Sequence, residues 1–336
     1  MDIIEPLVKI VFIFLINLTT VAYLVLVERR VSAFIQNRIG PNRVGPAGLF
    51  QPVADIVKLF LKEDFVPKAA NKFVHSLAPL ISLVVAMATF AVIPFGNSIH
   101  LFGRDIKLMI ADVNVGILYI LALSSLGVYG ITLSGWSSNN KYSLLGGLRS
   151  SAQMISYELS MGLSIIGVLM IAGTLQLDKI VESQAHGMWY FWRTPMSFIT
   201  FVVASFAETN RLPFDLPEAE PELVGGYHTE YSGMKFGLFF LAEYANMITA
   251  SAIIATLYLG GWQLPFVGHL GLPDIAVSLL QIAAFGIKVG LVLLFFIVIR
   301  WTIPRFRYDQ LMNIGWKVML PLALVNILIT GIGLLW

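Results

Sequence analysis

Eight apolar runs of about 20 residues, near 4–27, 76–96, 113–134, 153–176, 189–208, 237–260, 275–300 and 314–336, decide what this chain can become. Each is long enough to cross about 30 Å of hydrocarbon as a helix, and in lipid only helices and closed barrels satisfy their own backbone groups. With 57% of the 336 residues hydrophobic and 12% charged, there is too little polar surface to cover one water-soluble core. The expected fold is all-α, a polytopic integral membrane protein of about eight transmembrane helices. No internal repeat or long linker interrupts it, so residues 1–336 are expected to form a single domain. The first run ends at Glu28-Arg29-Arg30 without a small-residue cleavage site and therefore reads as a retained span.

Charge sets the expected orientation. The connections after the first, third, fifth and seventh runs hold 16 of the 22 Lys and Arg residues. The positive-inside rule then places both termini outside and these four connections inside. Among them, residues 208–236 are unusually acidic: Glu208, Asp215, Glu218, Glu220, Glu222 and Glu230 are six of the 20 carboxylates in the chain. Carboxylates this close disfavour one another's ionised forms, so some should hold protons near neutral pH, as a proton-handling device requires. Two more acids, Glu158 and Glu243, fall about five and six residues from the inner ends of their runs, and Lys288 lies near the middle of the seventh. An ionisable group inside the bilayer must face protein or water, be paired, or be neutral. A Glu243–Lys288 ion pair is one way to achieve this. Tyr157, beside Glu158, and Tyr227, His228 and Tyr231, beside Glu230, add groups able to bridge such acids.

The other long inside connection, residues 31–75, opens with two Gly-Pro steps at Gly40-Pro41 and Gly45-Pro46 that forbid helix. Phe50, Val53, Ala54, Val57 and Leu61 then recur at helical spacing, with Asp55, Lys58 and Lys62 on the opposing face. A helix of roughly 13 residues cannot span, and this one suits a position in the membrane surface. Elsewhere Ser156, Ser160 and Ser164, and the pair Gly286 and Gly290, allow close helix contact.

The chain has no Cys and only five scattered His, and it lacks a strand–GxGxxG–helix unit or P-loop. It is expected to bind no metal, iron–sulfur cluster, haem or nucleotide of its own.

Several of these stretches together carry a resemblance. They are Glu28-Arg29-Arg30 with Ile39-Gly40-Pro41-Asn42-Arg43-Val44-Gly45-Pro46, Leu49-Phe50-Gln51-Pro52-Val53-Ala54-Asp55, Gly135-Trp136-Ser137-Ser138-Asn139, Ser156-Tyr157-Glu158, the Glu208–Glu230 loop, and Pro304-Arg305-Phe306-Arg307-Tyr308-Asp309-Gln310-Leu311. The chain resembles the quinone-site membrane subunit of respiratory complex I, in its bacterial and mitochondrial forms, from the first run to about residue 325.

That resemblance implies a proton-pumping NADH:quinone oxidoreductase, with quinone as substrate and with FMN and iron–sulfur clusters in partner subunits. The implied partners are two peripheral-arm subunits, which hold the headgroup and the terminal cluster, together with small and antiporter-like membrane subunits. The chain alone should be inactive, and the implied location is a bacterial inner membrane with periplasmic termini. By motif match, residues 31–75 should line the quinone entrance, with Arg29, Arg38 and Asp55 on polar parts and Phe34 and Phe50 among the apolar walls; Arg300 and Arg305 are further quinone-site candidates. The proton relay would comprise Tyr157, Glu158, Glu208, Asp215, Glu218, Glu220, Glu222, Glu230, Glu243 and Lys288. Pro221 departs from the family pattern and stiffens the acidic stretch. Two alternatives remain: the equivalent subunit of a complex I-related membrane-bound hydrogenase, and a stand-alone proton-coupled transporter. The fullness of the Gly-Pro loop motif favours the quinone enzyme over the hydrogenase. Against the transporter stands the lack of an inverted repeat.

Overall fold

A computed structural model of the chain describes residues 4–101, 104–185, 187–216, 220–264 and 273–335, with the side chains of 100, 101, 104, 220 and 221 outside that description. Helix α1 (Ile4–Ile35) leads through turns to the short α2 (Gln51–Leu61) and then to α3 (Lys72–Ala88), which tightens into a 3₁₀ turn ending at Val92. A hairpin, β1 (Ser98–Leu101) with β2 (Arg104–Lys107), precedes α4 (Gly116–Ser137) and α5 (Lys141–Ala172). There follow α6 (Leu177–Ala185), the single turn α7 (Tyr190–Arg193) and α8 (Pro195–Glu208). The acidic loop contains one helical turn, α9 (Glu220–Leu223), before α10 (Gly233–Tyr258) and α11 (Asp274–Thr302). The last helix begins as α12 (Tyr308–Asn313), widens to a π-helix over Ile314–Met319 and finishes as α13 (Leu320–Leu335).

Among the described residues the fold is therefore all-α with one short hairpin that the apolar pattern does not reveal. Among the described residues, seven helices are long and apolar enough to cross a membrane: α1, α3 with its 3₁₀ turn, α4, α5, α10, α11 and the combined α12–α13. The eighth expected span, 189–208, is instead α7 plus the 14-residue α8. Thr194 breaks it with φ −131° and ψ 64°, and Pro195 restarts it. Fourteen residues rise about 21 Å, short of the hydrocarbon thickness. Helix α8 is nonetheless inside the bundle, packed on α5 and α13, and Ser197 Oγ donates to the Ser164 carbonyl at 2.6 Å. The Ser156–Ser164 stripe is thus a helix contact, as its spacing suggests. Gly286 and Gly290 are not, because a Cβ at either would meet nothing within 4 Å.

Two helix starts and ends differ from expectation for reasons visible in packing. Helix α5 begins at Lys141, well before the expected 153, because Asn140 caps it by accepting from the Tyr142 amide at 2.9 Å. Gly146 and Gly147 look like loop residues, but they are helical and let other backbone approach: a Cβ on Gly146 would lie 2.7 Å from Gly226 Cα. As a result Glu158 sits near the middle of α5 and not close to its end. Likewise α1 continues past residue 27 to Ile35, which makes Glu28 and Arg29 helical and turns them towards neighbouring helices. The most enclosed span is α10, 67% of whose most apolar stretch is buried, against 17% in the last helix and 22% in α1. Functional groups brought to α10 are therefore shielded by the rest of the chain.

Candidate functional site

Two cavities flank α10. The larger, about 420 Å³, lies between α1, α2 and α10. Its walls are mostly apolar, with Val21, Ala22 and Val25 from α1, Ile56 and Leu59 from α2, and Phe240 and Leu241 from α10. Arg29, Gln51 and Asp55 add polarity at one part of the wall, and Tyr244 closes another. Arg29 Nη1 lies 2.7 Å from Asp55 Oδ2, and Gln51 donates to the other Asp55 oxygen at 3.2 Å. The expected apolar face of α2, with Phe50 before it, is turned out: Phe50, Val53, Val57 and Leu61 are all exposed, as a helix seated in a membrane surface requires. Its other face, bearing Asp55, roofs the cavity.

The second cavity, about 70 Å³, lies on the opposite side of α10, among α3, α4, α5 and α8. That is room for roughly five waters. Ser124, Glu208, Asn210, Glu243, Asn246 and Thr249 give it a polar lining over part of its length. Glu208 is hydrogen-bonded to Ser124 and lies within electrostatic reach of Glu158, which in turn accepts a short hydrogen bond from Ser125.

Between the cavities stands a buried charge cluster. Glu28 on α1 accepts from Tyr244 Oη at 2.8 Å, from Arg211 Nη1 at 3.4 Å and, through its other oxygen, from Arg300 Nη1 in a short contact. Arg211 Nε lies 2.6 Å from Glu243 Oε1, and its guanidinium covers the Tyr244 ring at 4.1 Å. Burial alone would disfavour the Arg211 charge, but Glu243, Tyr244 and Glu28 more than reverse this and raise its pKa. Nearby, Arg305 Nη2 donates to Asp215 Oδ2 at 3.2 Å. Tyr244 faces the large cavity and Glu243 the small one, because successive helix residues diverge by about 100°. Arg211 touches both.

The remaining expected residues are distributed more widely. Glu222 pairs with Arg149 on α5 at 2.6 Å, and Glu230 accepts from Asn140 at 2.6 Å, so both tether the acidic loop to the start of α5. His228 is buried against Tyr227, Phe236 and Phe239, and burial pushes its pKa down to about 3. Glu218 and the Glu220 side chain lie outside the described residues. Tyr157 turns away from the small cavity and donates to the Leu311 carbonyl at 2.9 Å, beside the π-helix. Phe34 is 84% exposed, and neither it nor Phe50 lines the large cavity. Arg38 bonds Gln36 at 2.7 Å and is also outside its wall.

Lys288 does not pair with Glu243. Its ammonium is taken by the carbonyls of Leu259, Gly261 and Gln263 at the far end of α10, while Glu243 is taken by Arg211. Glu28, Arg211, Tyr244 and Ser125 join these candidate residues in the structure, and the sequence alone does not single them out. The available signal for Arg211 is that it is the one cation among the acids of residues 208–230.

The sequence profile of the family described as NADH dehydrogenase matches residues 8–331. The chain belongs to that family. One relative, an NADH-quinone oxidoreductase subunit of Geobacter metallireducens, is 53% identical over 331 residues, covering 98% of this chain and 97% of its own length. The equivalent NADH-quinone oxidoreductase subunit of Cytophaga hutchinsonii is 50% identical over 97% of this chain and 96% of its own. The NADH-quinone oxidoreductase subunit 8 of Rhodothermus marinus is 53% identical over 94% and 93%. This member of the NADH dehydrogenase family is a multi-pass membrane protein by its seven apolar helices.

Proposed function

We infer that the chain is the membrane subunit of a proton-pumping NADH:quinone oxidoreductase. In that role its large cavity admits the quinone, and its carboxylates pass the consequence of quinone reduction towards proton-moving partners. The relatives' names supply the enzyme class; the observation that carries the reading is the Arg211 bridge between the two cavities. An apolar, lateral cavity between α1 and the surface helix suits an isoprenoid tail, and electrons come from clusters and FMN in peripheral partners. The relatives' names favour this reading over the hydrogenase and transporter alternatives.

The mechanism follows from electrostatics. A unit change of charge about 8 Å from a carboxylate, at an effective dielectric of about 20, is worth roughly 2 kcal/mol. A change in charge or hydrogen bonding near Tyr244 and Arg29 alters how strongly Glu28 and Glu243 compete for Arg211. When Arg211 shifts towards Glu28, Glu243 loses its cation and takes up a proton; when it returns, the proton is released into the small cavity. Waters there, with Asn246, Ser124 and Glu208, lead to Glu158, which is half-buried on the flank of the bundle where a partner would continue the path. The apolar spans support a membrane location, and because the acidic loop is tied to the start of α5, α7 and α8 together return the chain to that side, so that the basic connections share one face, which this reading takes as cytoplasmic.

Filling the large cavity tests the substrate part. Ala22→Trp should lower NADH:quinone activity of the assembled complex at least tenfold while NADH:ferricyanide activity, which bypasses the membrane subunit, stays unchanged. Full quinone activity in that variant would show that the substrate lies elsewhere.

A further inference from the structure

The small cavity follows one face of α10, which lines it with Glu243, Asn246, Thr249, Ile253 and Leu257 at three- and four-residue steps. Its polarity falls along this stripe. Thr249 and Thr89 share a hydrogen bond at 3.2 Å, and beyond them Ile253, Leu257, Ile117 and Leu177 leave only apolar wall. Immediately past Leu257, at the end opposite the acidic loop, the chain turns at Gly260 and Gly261, with φ +72° and +52°. Only glycine suits this turn. A Cβ on Gly260 would lie 2.7 Å from Trp189 Nε1, and one on Gly261 would lie 2.6 Å from Val181 Cγ2.

The turn's carbonyls converge on Lys288 of α11. Nζ donates to Leu259 at 2.7 Å, Gly261 at 2.9 Å and Gln263 at 2.8 Å, and sits 4.5 Å from the centre of the Trp189 ring. All three ammonium protons are thus used, with an aromatic face alongside. Gln184 completes the structure by accepting from the Gly260 amide and donating to the Thr256 carbonyl, both at 3.0 Å. Helix α6 supplies Leu177 to the cavity wall and Val181 to the packing against Gly261. The turn and the cavity's apolar end therefore share α6 as a common wall.

We propose that Lys288 is a positioning residue that seals the small cavity at the end opposite the acidic loop, so that protons reaching Glu243 cannot escape there. Its ammonium holds the 259–263 turn over Leu257, and it stands beyond an apolar stretch. A proton must then leave water and approach a cation, which are the two barriers that exclude protons from other membrane pores. The seal rests on the reading that this cavity carries protons.

The test is passive proton leak, measured as the collapse of an imposed pH gradient in liposomes holding the whole complex without NADH. Lys288→Met should leak severalfold faster than the unaltered complex, Lys288→Arg should stay near it, and adding Glu243→Gln to Lys288→Met should suppress the leak. A purely structural lysine would lower heat stability without opening this route. A Lys288→Met complex that reduces quinone normally and leaks no more than the unaltered one overturns the seal alone. A leak that persists with Glu243→Gln overturns the reading of the cavity as a proton route. Should Lys288→Met fail to assemble, Trp189→Leu takes its place: a smaller rise in leak supports the seal, and no rise overturns it.

Discussion

Arg211 has three neighbours that give it different reasons to move: the carboxylates of Glu28 and Glu243, and the ring of Tyr244, whose hydroxyl competes with it for Glu28. Removing a partner from a buried charge group typically costs about 3–5 kcal/mol, because the charge left behind stays buried. Arg211→Met should therefore lower the melting temperature of the assembled complex more than Arg149→Met does, since the Arg149–Glu222 pair is partly solvated and worth little. Equal effects, by calorimetry, would show that the buried cluster is not held as described. Acidity gives a second residue-scale prediction, at His228. Its pKa falls from 6.5 in the unfolded chain to about 3 in the folded one. Between those values the unfolded state binds the extra proton, so stability is lost as pH falls below about 6.5. The opening of residues 223–232, read as amide exchange corrected for its intrinsic pH dependence, should thus become more frequent from pH 7 to pH 5, and His228→Phe should reduce that change. An identical pH response in the variant would contradict the assignment.

Individual elements show what is legible in the sequence and what is not. The surface helix can be read because Phe50, Val53, Val57 and Leu61 repeat at 3.6-residue spacing, and the structure exposes that face. The short α8 is missed by an apolar-run reading, although Pro195 is a signal for it: proline disfavours helix at the residue before it, and Thr194 is where the run breaks. Glu158 and Glu243 can be named from their oily surroundings, but their partners cannot. Glu28 lies 183 residues from Arg211, and no local pattern reports a contact at that separation. Lys288 defeats the sequence for the same reason: a lone cation at depth invites an anion as its partner, and here backbone carbonyls freed by a Gly-Gly turn serve instead. For the surface helix, Val57→Asp places a charge on its membrane face. It should slow turnover with long-tailed quinone more than with a short-tailed, water-soluble analogue. Equal slowing with both would argue against a lateral tail entrance.

At the scale of the whole molecule, α10 separates an apolar chamber from a small cavity that is polar along part of its length, and one buried cluster spans the division. Both cavities are built from helices distant in sequence, so the fold itself brings the two within reach of one arginine. If the proposed role is right, the carboxylates around Arg211 connect quinone reduction to proton movement. The most direct measurement is the number of protons pumped per NADH oxidised by the reconstituted complex carrying both Glu158→Gln and Glu243→Gln. Pumping should fall much further than quinone reduction, so that the ratio collapses; a double variant that pumps at the unaltered ratio would rule this coupling out.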